Sequence, residues 1–129
     1  MQPAPHARHS TSALLACLVL GLAPAGAQGH SELVASSPKD GARLTAAPSV
    51  VALLFSAPLR RVTLLRMTDA GGRQWVRDVR FTPRRPRIVR ADLRAPGPGS
   101  YRVSWAVVAA DGFPQGGGFT FRVVGRARR

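Results

Sequence analysis

The sequence predicts an all-β domain, a sandwich of about seven short strands. From Leu33 onwards, strand-like runs recur at short intervals and are separated by glycine, proline and aspartate. In the two clearest runs apolar and polar residues alternate with a period of two, which is typical of strands with one buried and one exposed face. No stretch has the spacing of a long amphipathic helix. Together these features favour an immunoglobulin-like Greek-key sandwich.

Turn residues separate the predicted strands in chain order. Pro38-Lys39-Asp40-Gly41 ends the first run, because proline fixes φ and glycine admits a positive φ. Asp69-Ala70-Gly71-Gly72 predicts a hairpin turn, and the prolines and glycines of Ala95–Gly99 exclude regular structure. The predicted strands are Leu33–Ser36, Val50–Phe55, Val62–Thr68, Gln74–Phe81, Arg87–Leu93, Ser100–Ala109 and Phe119–Val124.

Three of these runs also indicate how their side chains are placed. Val50–Phe55 is apolar throughout, which predicts a strand covered on both faces. Tyr101 follows a Pro-Gly turn, where such sandwiches often place a corner tyrosine, so its hydroxyl is expected to bond nearby backbone. The buried faces of the two alternating strands are predicted to hold Tyr101, Val103, Trp105 and Val107, and Phe119, Phe121 and Val123.

Residues 1–29 are predicted to be a secretory signal peptide that precedes the fold. A polar segment with Arg8 comes before an apolar run over residues 13–25, and small residues follow it, which is the order of a cleaved signal. The apolar run is shorter than the about 20 residues of a transmembrane helix. Cys17, the single cysteine, lies in this run, so the processed chain is expected to have no thiol chemistry. Residues 30–129 then fit one domain.

The chain is strongly basic, with 19 Lys and Arg against 6 Asp and Glu and a formal net charge of +13. Loss of residues 1–29 removes one cation, Arg8, and leaves +12. Nearly all the cations are arginine, which favours bidentate contact with carboxylates and phosphates. Since export argues against nucleic acid, the expected partners of this charge are anionic lipid, envelope polymers or an acidic protein surface. A solvated surface without a partner is the alternative.

Two segments about eighty residues apart carry the clearest functional signal. His30-Ser31-Glu32-Leu33 follows the predicted signal, and Ala109-Ala110-Asp111-Gly112-Phe113-Pro114 joins two strand runs. Together with Ser37–Ala42, Leu53–Ser56, Pro98–Trp105 and Gly118–Phe121, these segments resemble the CopC-type periplasmic copper-resistance family over nearly the whole domain.

That resemblance implies a cupredoxin-like β-sandwich that binds copper in the periplasm. In the family, Cu(II) is held by the amine and imidazole of the first mature residue and by an Asp and a His of the loop. The implied ligands in this chain are His30 and Asp111, whereas the loop His is replaced by Phe113, which cannot ligate. Some members carry a second, Met-rich Cu(I) site. This site is expected to be absent here, because Met67 is the one methionine after the signal and its strand position predicts a core residue.

The small residues at the end of the signal allow two cleavage sites. Cleavage after Gly29 makes His30 the first residue, and its amine and imidazole form half of the plane that Cu(II) favours. Cleavage after Ala27 leaves Gln28-Gly29-His30, whose amine, two amides and imidazole encircle Cu(II) or Ni(II) without the loop, unless Gln28 cyclises. The structural alternatives are an exposed chain end for His30 and an ordinary turn for Asp111.

The sequence thus predicts a periplasmic protein that binds Cu(II) through His30 and Asp111 and serves copper sequestration or delivery. The expected partner is an inner-membrane copper-transport protein, and the expected state is a monomer. The alternative is a metal-free sandwich adaptor that binds an acidic membrane-protein or envelope partner through its arginine-rich surface. An enzyme is not expected, because one histidine and no cysteine after processing cannot readily supply a nucleophile, a base and an orienting group.

Overall fold

Two four-stranded β-sheets form the part of the chain that the computed structural model describes, residues 2–3 and 31–125. The eight strands are β1 (Leu33–Ser37), β2 (Arg43–Leu44), β3 (Val50–Phe55), β4 (Leu59–Asp69), β5 (Val76–Arg80), β6 (Ile88–Leu93), β7 (Gly99–Ala109) and β8 (Pro114–Val123). The strand order is β1-β3-β6-β5 in the first sheet and β2-β8-β7-β4 in the second. The predicted all-β sandwich is therefore confirmed.

Several sequence predictions concern residues outside the described ranges. Apart from residues 2–3, the predicted signal peptide over 1–29 lies outside them, and so do Gln28, His30 and residues 126–129. Residues 2–3 and 31–125 contain no helix with the length and hydropathy needed to cross a membrane.

The core lies between the two sheets and is built from alternate residues of their strands. The predicted inward faces of β7 and β8 are confirmed, since each of their apolar members is at most 8% exposed. Phe55 of β3 meets Trp105 of β7 edge to face, with ring centroids 5.1 Å apart. This contact joins the first sheet to the second through two large aromatic groups, which bury more apolar area than any aliphatic pair.

Strand β3 is covered on one face, so the predicted cover on both faces is wrong. Val51, Leu53 and Phe55 are at most 1% exposed, whereas Leu54 is 40% exposed. The strand lies between β1 and β6 in its sheet and is paired along both edges. The other face carries Val50, Ala52 and Leu54, which are half-buried or exposed. A run of apolar residues alone does not distinguish such an open face from a buried one.

The segment Asp69–Gly72 forms the predicted hairpin turn, but the antiparallel pairing across it is short. The amide of Gly72 donates to the carbonyl of Asp69 (3.0 Å). Strand β4 belongs to the second sheet and β5 to the first, and an isolated bridge between Thr68 and Gln74 links the two sides of the turn. The Gln74 side chain accepts the Met67 amide (2.9 Å), so it replaces a strand partner where the chain crosses between sheets.

The structure has eight strands rather than about seven because β2 is too short to show a period. This two-residue strand pairs in parallel with Arg122 and Val123 of β8. Strand β8 also begins at Pro114 rather than at Phe119, since three glycines at residues 116–118 hide its first half. Glycine is depleted in strands, but a Cβ at Gly117 would lie 2.7 Å from Cζ2 of Trp105. The glycine therefore makes room for the indole.

Tyr101 confirms the expected corner at the start of β7. Its hydroxyl donates to the carbonyl of Gly97, and its ring stacks on Phe121 with centroids 5.6 Å apart. Burial raises the pKa of the Tyr101 hydroxyl above its ordinary value, with a smaller contribution from the charge of Asp69. The phenol therefore stays a hydrogen-bond donor throughout the physiological range and closes this end of the sandwich.

We expect Gly117→Ala to destabilise the domain by about 1–3 kcal/mol, because the new methyl group displaces the Trp105 ring in a well-packed core. Urea denaturation followed by tryptophan fluorescence measures the change. Gly97→Ala is the matched control, since a Cβ there meets no atom within 4 Å, and its effect should stay within about 0.5 kcal/mol. Equal stability of the two variants would contradict this role of Gly117.

Candidate metal centre

The loop between β7 and β8 presents Asp111 at one end of the sandwich. The amide of Gly112 donates to the carbonyl of Ala109 (2.8 Å), and the amide of Ala109 donates to the carbonyl of Phe113 (2.9 Å). Gly112 has a φ of 89°, which is a left-handed conformation that glycine adopts without steric strain. The loop is thus a tight, hydrogen-bonded turn, and both Asp111 and Gly112 are exposed.

The carboxylate of Asp111 is oriented by its own turn. Its Oδ1 accepts a hydrogen bond from the amide of Phe113 (3.0 Å), so the predicted turn chemistry of this Asp-Gly pair is present. An aspartate in such a turn has a restricted side-chain orientation, and it can still offer carboxylate lone pairs to a cation. Asp111 can therefore form its turn hydrogen bond and offer an oxygen to a cation in the same geometry.

Phe113 stands beside Asp111 and is 45% exposed. An aromatic hydrocarbon ring has no lone pair to donate to a metal, so this position supplies no ligand. The ring instead adds exposed apolar surface beside Asp111. A cation held here by Asp111 therefore needs its other donors from outside the loop.

Arg60, near the start of β4, supports the loop from the neighbouring strand. Its guanidinium Nη2 donates to the carbonyl of Ala110 (2.9 Å), and its Nη1 lies 3.8 Å from where a Cβ on Gly112 would be. A larger residue at position 112 would meet this side chain. Arg60 thus holds the backbone of the loop at Ala110 and lies beside Gly112.

Ser31, the first described residue after position 30, is fully buried and fixes the start of the domain. Its Oγ donates to the carbonyl of Ala57 (2.7 Å) and accepts from the amide of Ala57 (3.3 Å). The backbone of Glu32 also exchanges bonds with Ser56, whose Oγ accepts the Glu32 amide (2.9 Å) and whose amide donates to the Glu32 carbonyl (2.8 Å). Four hydrogen bonds therefore tie residues 31–32 to residues 56–57.

The connection between β3 and β4, which we call the turn at residues 56–58, also contacts the Asp111 loop. The carbonyl of Pro58 accepts a hydrogen bond from the amide of Ala110 (3.0 Å). Residues 56–58 thus bond to the start of the domain through Ser31 and to the metal-candidate loop through Ala110. Consequently the chain enters the fold at the end of the sandwich that carries Asp111. His30 itself lies outside the described residues, and its approach to Asp111 stays a prediction.

The donor inventory of the described residues limits what kind of site is possible. Within residues 31–125 no group of three or more His, Cys, Asp and Glu side chains comes together. A metal centre that includes Asp111 would therefore need donors other than the described side chains of these four types. Met67 is fully buried in β4, which confirms that it is a core residue and argues against a methionine-based Cu(I) site.

Sequence reasoning missed Arg60 and the turn at residues 56–58. Ser56 was part of a matching segment, but its pattern gave no sign that it would bond to Glu32. Arg60 was one of many arginines, and its contact with Ala110 spans 50 positions in the chain. Such long-range contacts have no local sequence signature, since they depend on how the strands are arranged.

Comparison with known proteins gives a consistent result. The family model described as the CopC domain matches residues 33–124. CopC from Methylosinus trichosporium OB3b is similar with a TM-score of 0.70 at 26% identity, over 78% of this chain and 99% of that chain. PcoC, a methionine-rich copper resistance protein from Escherichia coli, gives a TM-score of 0.60 at 30% identity, over 74% of this chain and 99% of its own. No curated protein sequence matched.

We expect Ser31→Ala to destabilise the domain by about 1–2 kcal/mol, because both the amide and the carbonyl of Ala57 lose their bonds to the hydroxyl in a buried position. Urea denaturation measures the loss. Ser49→Ala, at an exposed position before β3, is the matched control and should change the unfolding free energy by less than about 0.5 kcal/mol. If both variants unfold like the unaltered protein, Ser31 does not anchor the chain.

Proposed function

The chain belongs to the CopC domain family, and on that premise we propose that it binds copper as Cu(II) through His30 and Asp111. Its structural neighbours include PcoC, a copper resistance protein. The observation that carries the proposal is the position of the turn at residues 56–58, which bonds to Ser31 and to the Asp111 loop. Only one peptide bond separates Ser31 from the proposed histidine ligand.

The proposed donor set suits Cu(II). An amine and an imidazole from His30, together with a carboxylate oxygen from Asp111, provide nitrogen and oxygen donors of the kind that Cu(II) binds in square-planar or tetragonal sites. Because Phe113 occupies the position of the family's loop histidine, water completes the plane. The resulting affinity for Cu(II) is lower than that of a relative with the full set of protein ligands.

The proposed role is copper sequestration or delivery in the periplasm after removal of residues 1–29. Asp111 and Phe113 lie on an exposed loop, so a bound ion is reachable by another protein. An accessible site with one water ligand suits transfer of the ion, because a partner's donor can replace the water before the protein ligands dissociate. The proposed recipient is an inner-membrane copper-transport protein, and the proposed state in solution is a monomer.

The competing proposal places the copper in the N-terminal segment Gln28-Gly29-His30, which we call the tail site. If processing leaves Gln28 as the first residue, Gln28-Gly29-His30 supplies the amine, two deprotonated amides and the imidazole without Asp111. Both sites weaken on acidification, because metal ligands must lose their protons to bind. The tail site weakens at higher pH than the loop site, since it also requires two ionised amides. Mass spectrometry of the processed protein identifies which first residue is present.

A metal-free adaptor is the second candidate function. The observation that favours it is Phe113, which removes one family ligand from the loop, together with the net positive charge. An adaptor binds no copper tightly at neutral pH, so copper titration distinguishes it from both metal-site proposals.

We expect Asp111→Ala to weaken Cu(II) binding at neutral pH by about tenfold or more, equivalent to about 1.4 kcal/mol, because the loop donor is lost. Competition titration with a chelator of known affinity measures the change. Asp78→Ala, an exposed aspartate of β5 in the other sheet, is the matched control and leaves the affinity unchanged. Unchanged affinity in Asp111→Ala, with Gln28 as the first residue, would reject the loop site in favour of the tail site.

We expect Phe113→His to raise Cu(II) affinity, because an imidazole then occupies the position of the family's loop ligand. The EPR spectrum of the variant should show one more coordinated nitrogen than that of the unaltered protein. Phe113→Leu is the control for loss of the ring alone, and it adds no nitrogen. Identical spectra and affinities for the histidine and leucine variants would show that position 113 does not face the metal.

A further inference from the structure

The outer face of the second sheet carries a group of arginines that copper binding does not use. Alternation along β7 and β8 directs Tyr101 and Phe121 inward and the residues between them outward. Four exposed arginines share this outer face across four strands, with one on β2, one on β4, one on β7 and one on β8: Arg43, Arg66, Arg102 and Arg122. We call this set the arginine face.

The arrangement of these arginines is unfavourable for the isolated domain. Arg43 and Arg122 are directly paired across β2 and β8, and like charges opposite each other in a sheet destabilise it. The ion pair of Arg80 with Asp92 lies in the other sheet. A local conflict of this kind is expected where a surface serves binding.

A groove of about 480 Å³ lies on this face. Arg43, Arg102 and Arg122 line it, and three hydroxyl side chains lie among them, those of Thr68, Ser100 and Thr120. Guanidinium and hydroxyl groups are the donors that bind planar oxyanions. The groove therefore presents a high density of hydrogen-bond donors with positive charge.

Two of the arginines are oriented by their surroundings. The Nε of Arg122 donates to the Oγ of Ser100 (3.2 Å). The guanidinium of Arg102 lies over Gly118, with Nη2 3.4 Å from where a Cβ of that glycine would be. Because Gly118 has no side chain, Arg102 can lie along the sheet. An oriented guanidinium loses less entropy when it forms a bidentate pair.

Asp69 is the one acidic residue in the lining of the groove, and its oxygens face its own turn. Oδ1 accepts from the amides of Gly71 (2.9 Å) and Arg73 (3.0 Å), and Oδ2 accepts from Nε1 of Trp75 (3.1 Å). These hydrogen bonds, that from Trp75 first, hold the pKa of Asp69 below its ordinary value. The carboxylate is therefore occupied by its turn and is not a direct ion-pair partner of the groove arginines.

We propose that the arginine face docks an extended acidic segment of a partner protein. Alternate residues of a strand are about 6.8 Å apart. Asp or Glu side chains at alternate positions of an extended segment therefore match the spacing between arginines that lie two residues apart along the sheet, such as Arg102 and, opposite Ser100, Arg122. A flexible segment can enter a groove, whereas a flat bilayer cannot. An exposed large apolar side chain would insert into lipid, but the groove lining contains none. Leu64, which is 39% exposed, lies outside the lining.

This docking surface is separate from the proposed copper loop. The groove contacts Ser100, Tyr101 and Arg102 at the start of β7, and the Asp111 loop follows the end of β7. Arg102 at the edge of the groove and Ala109 at the end of β7 are seven residues apart, which at about 3.3 Å per residue is about 23 Å. A partner held at the arginine face therefore leaves the copper loop open, and the proposal does not depend on copper binding.

The test uses the processed full-length domain and a fluorescein-labelled ten-residue peptide of alternating Asp and Ser. Fluorescence anisotropy at low salt measures the dissociation constant. The variant R43Q/R102Q/R122Q should weaken binding by about tenfold or more, because the three cations that line the groove are lost. The matched control R77Q/R84Q/R90Q removes the same charge from exposed arginines outside this face and should change the constant by less than about threefold. Both variants are checked for unaltered thermal unfolding.

Three outcomes would overturn the proposal. The first is equal weakening by the two triple variants, which shows non-specific attraction by net charge. The second is no binding of the peptide to the unaltered protein at low salt. The third is capture by vesicles of anionic phosphatidylglycerol that depends on Arg43, Arg102 and Arg122 while the peptide does not bind, which makes the face a lipid-binding surface.

Discussion

The turn at residues 56–58 is the constraint on which the proposed site depends. It bonds to the buried hydroxyl of Ser31 on one side and to the amide of Ala110 on the other. Without it, the chain before β1 would be a free end, and an N-terminal ligand could reach Asp111 only at a large entropic cost. The turn converts two segments that are distant in sequence into neighbours at one end of the sandwich. Copper binding at the proposed site would thereby be coupled to the packing of β1 onto β3.

The two ends of β7 have different chemistry, and this suggests a division of roles. One end presents a carboxylate on an exposed loop, which suits a cation. The other end presents a groove with three arginines, which suits an acidic protein segment. Because the same strand spans both, a partner docked at the proposed surface would be held in a fixed relation to the proposed copper loop. Such a fixed relation favours transfer of an ion, since it restricts the orientations that the partner must search.

The sequence was sufficient for the fold class and insufficient for its connections. Alternation in β7 and β8 correctly identified the buried faces, because a period of two directly reflects the pleat. The alternating pattern failed where tertiary contacts dominated. Strand β2 has two residues and no period, Gly117 of β8 makes room for the ring of Trp105, and the turn after β4 joins different sheets. For the site, Asp111 was found through a resemblance, whereas Arg60 and the 56–58 turn act through contacts that only the assembled sheets create.

The most direct test of the account is a crystal structure of the processed protein with one equivalent of Cu(II), with anomalous diffraction recorded at the copper edge. The account predicts a single anomalous peak at the loop between β7 and β8, in contact with the carboxylate of Asp111 and with the amine and imidazole of His30. A copper ion bound by Gln28-Gly29-His30 alone, away from Asp111, would contradict the account. So would a fully processed protein that begins at His30 and shows no peak at this loop.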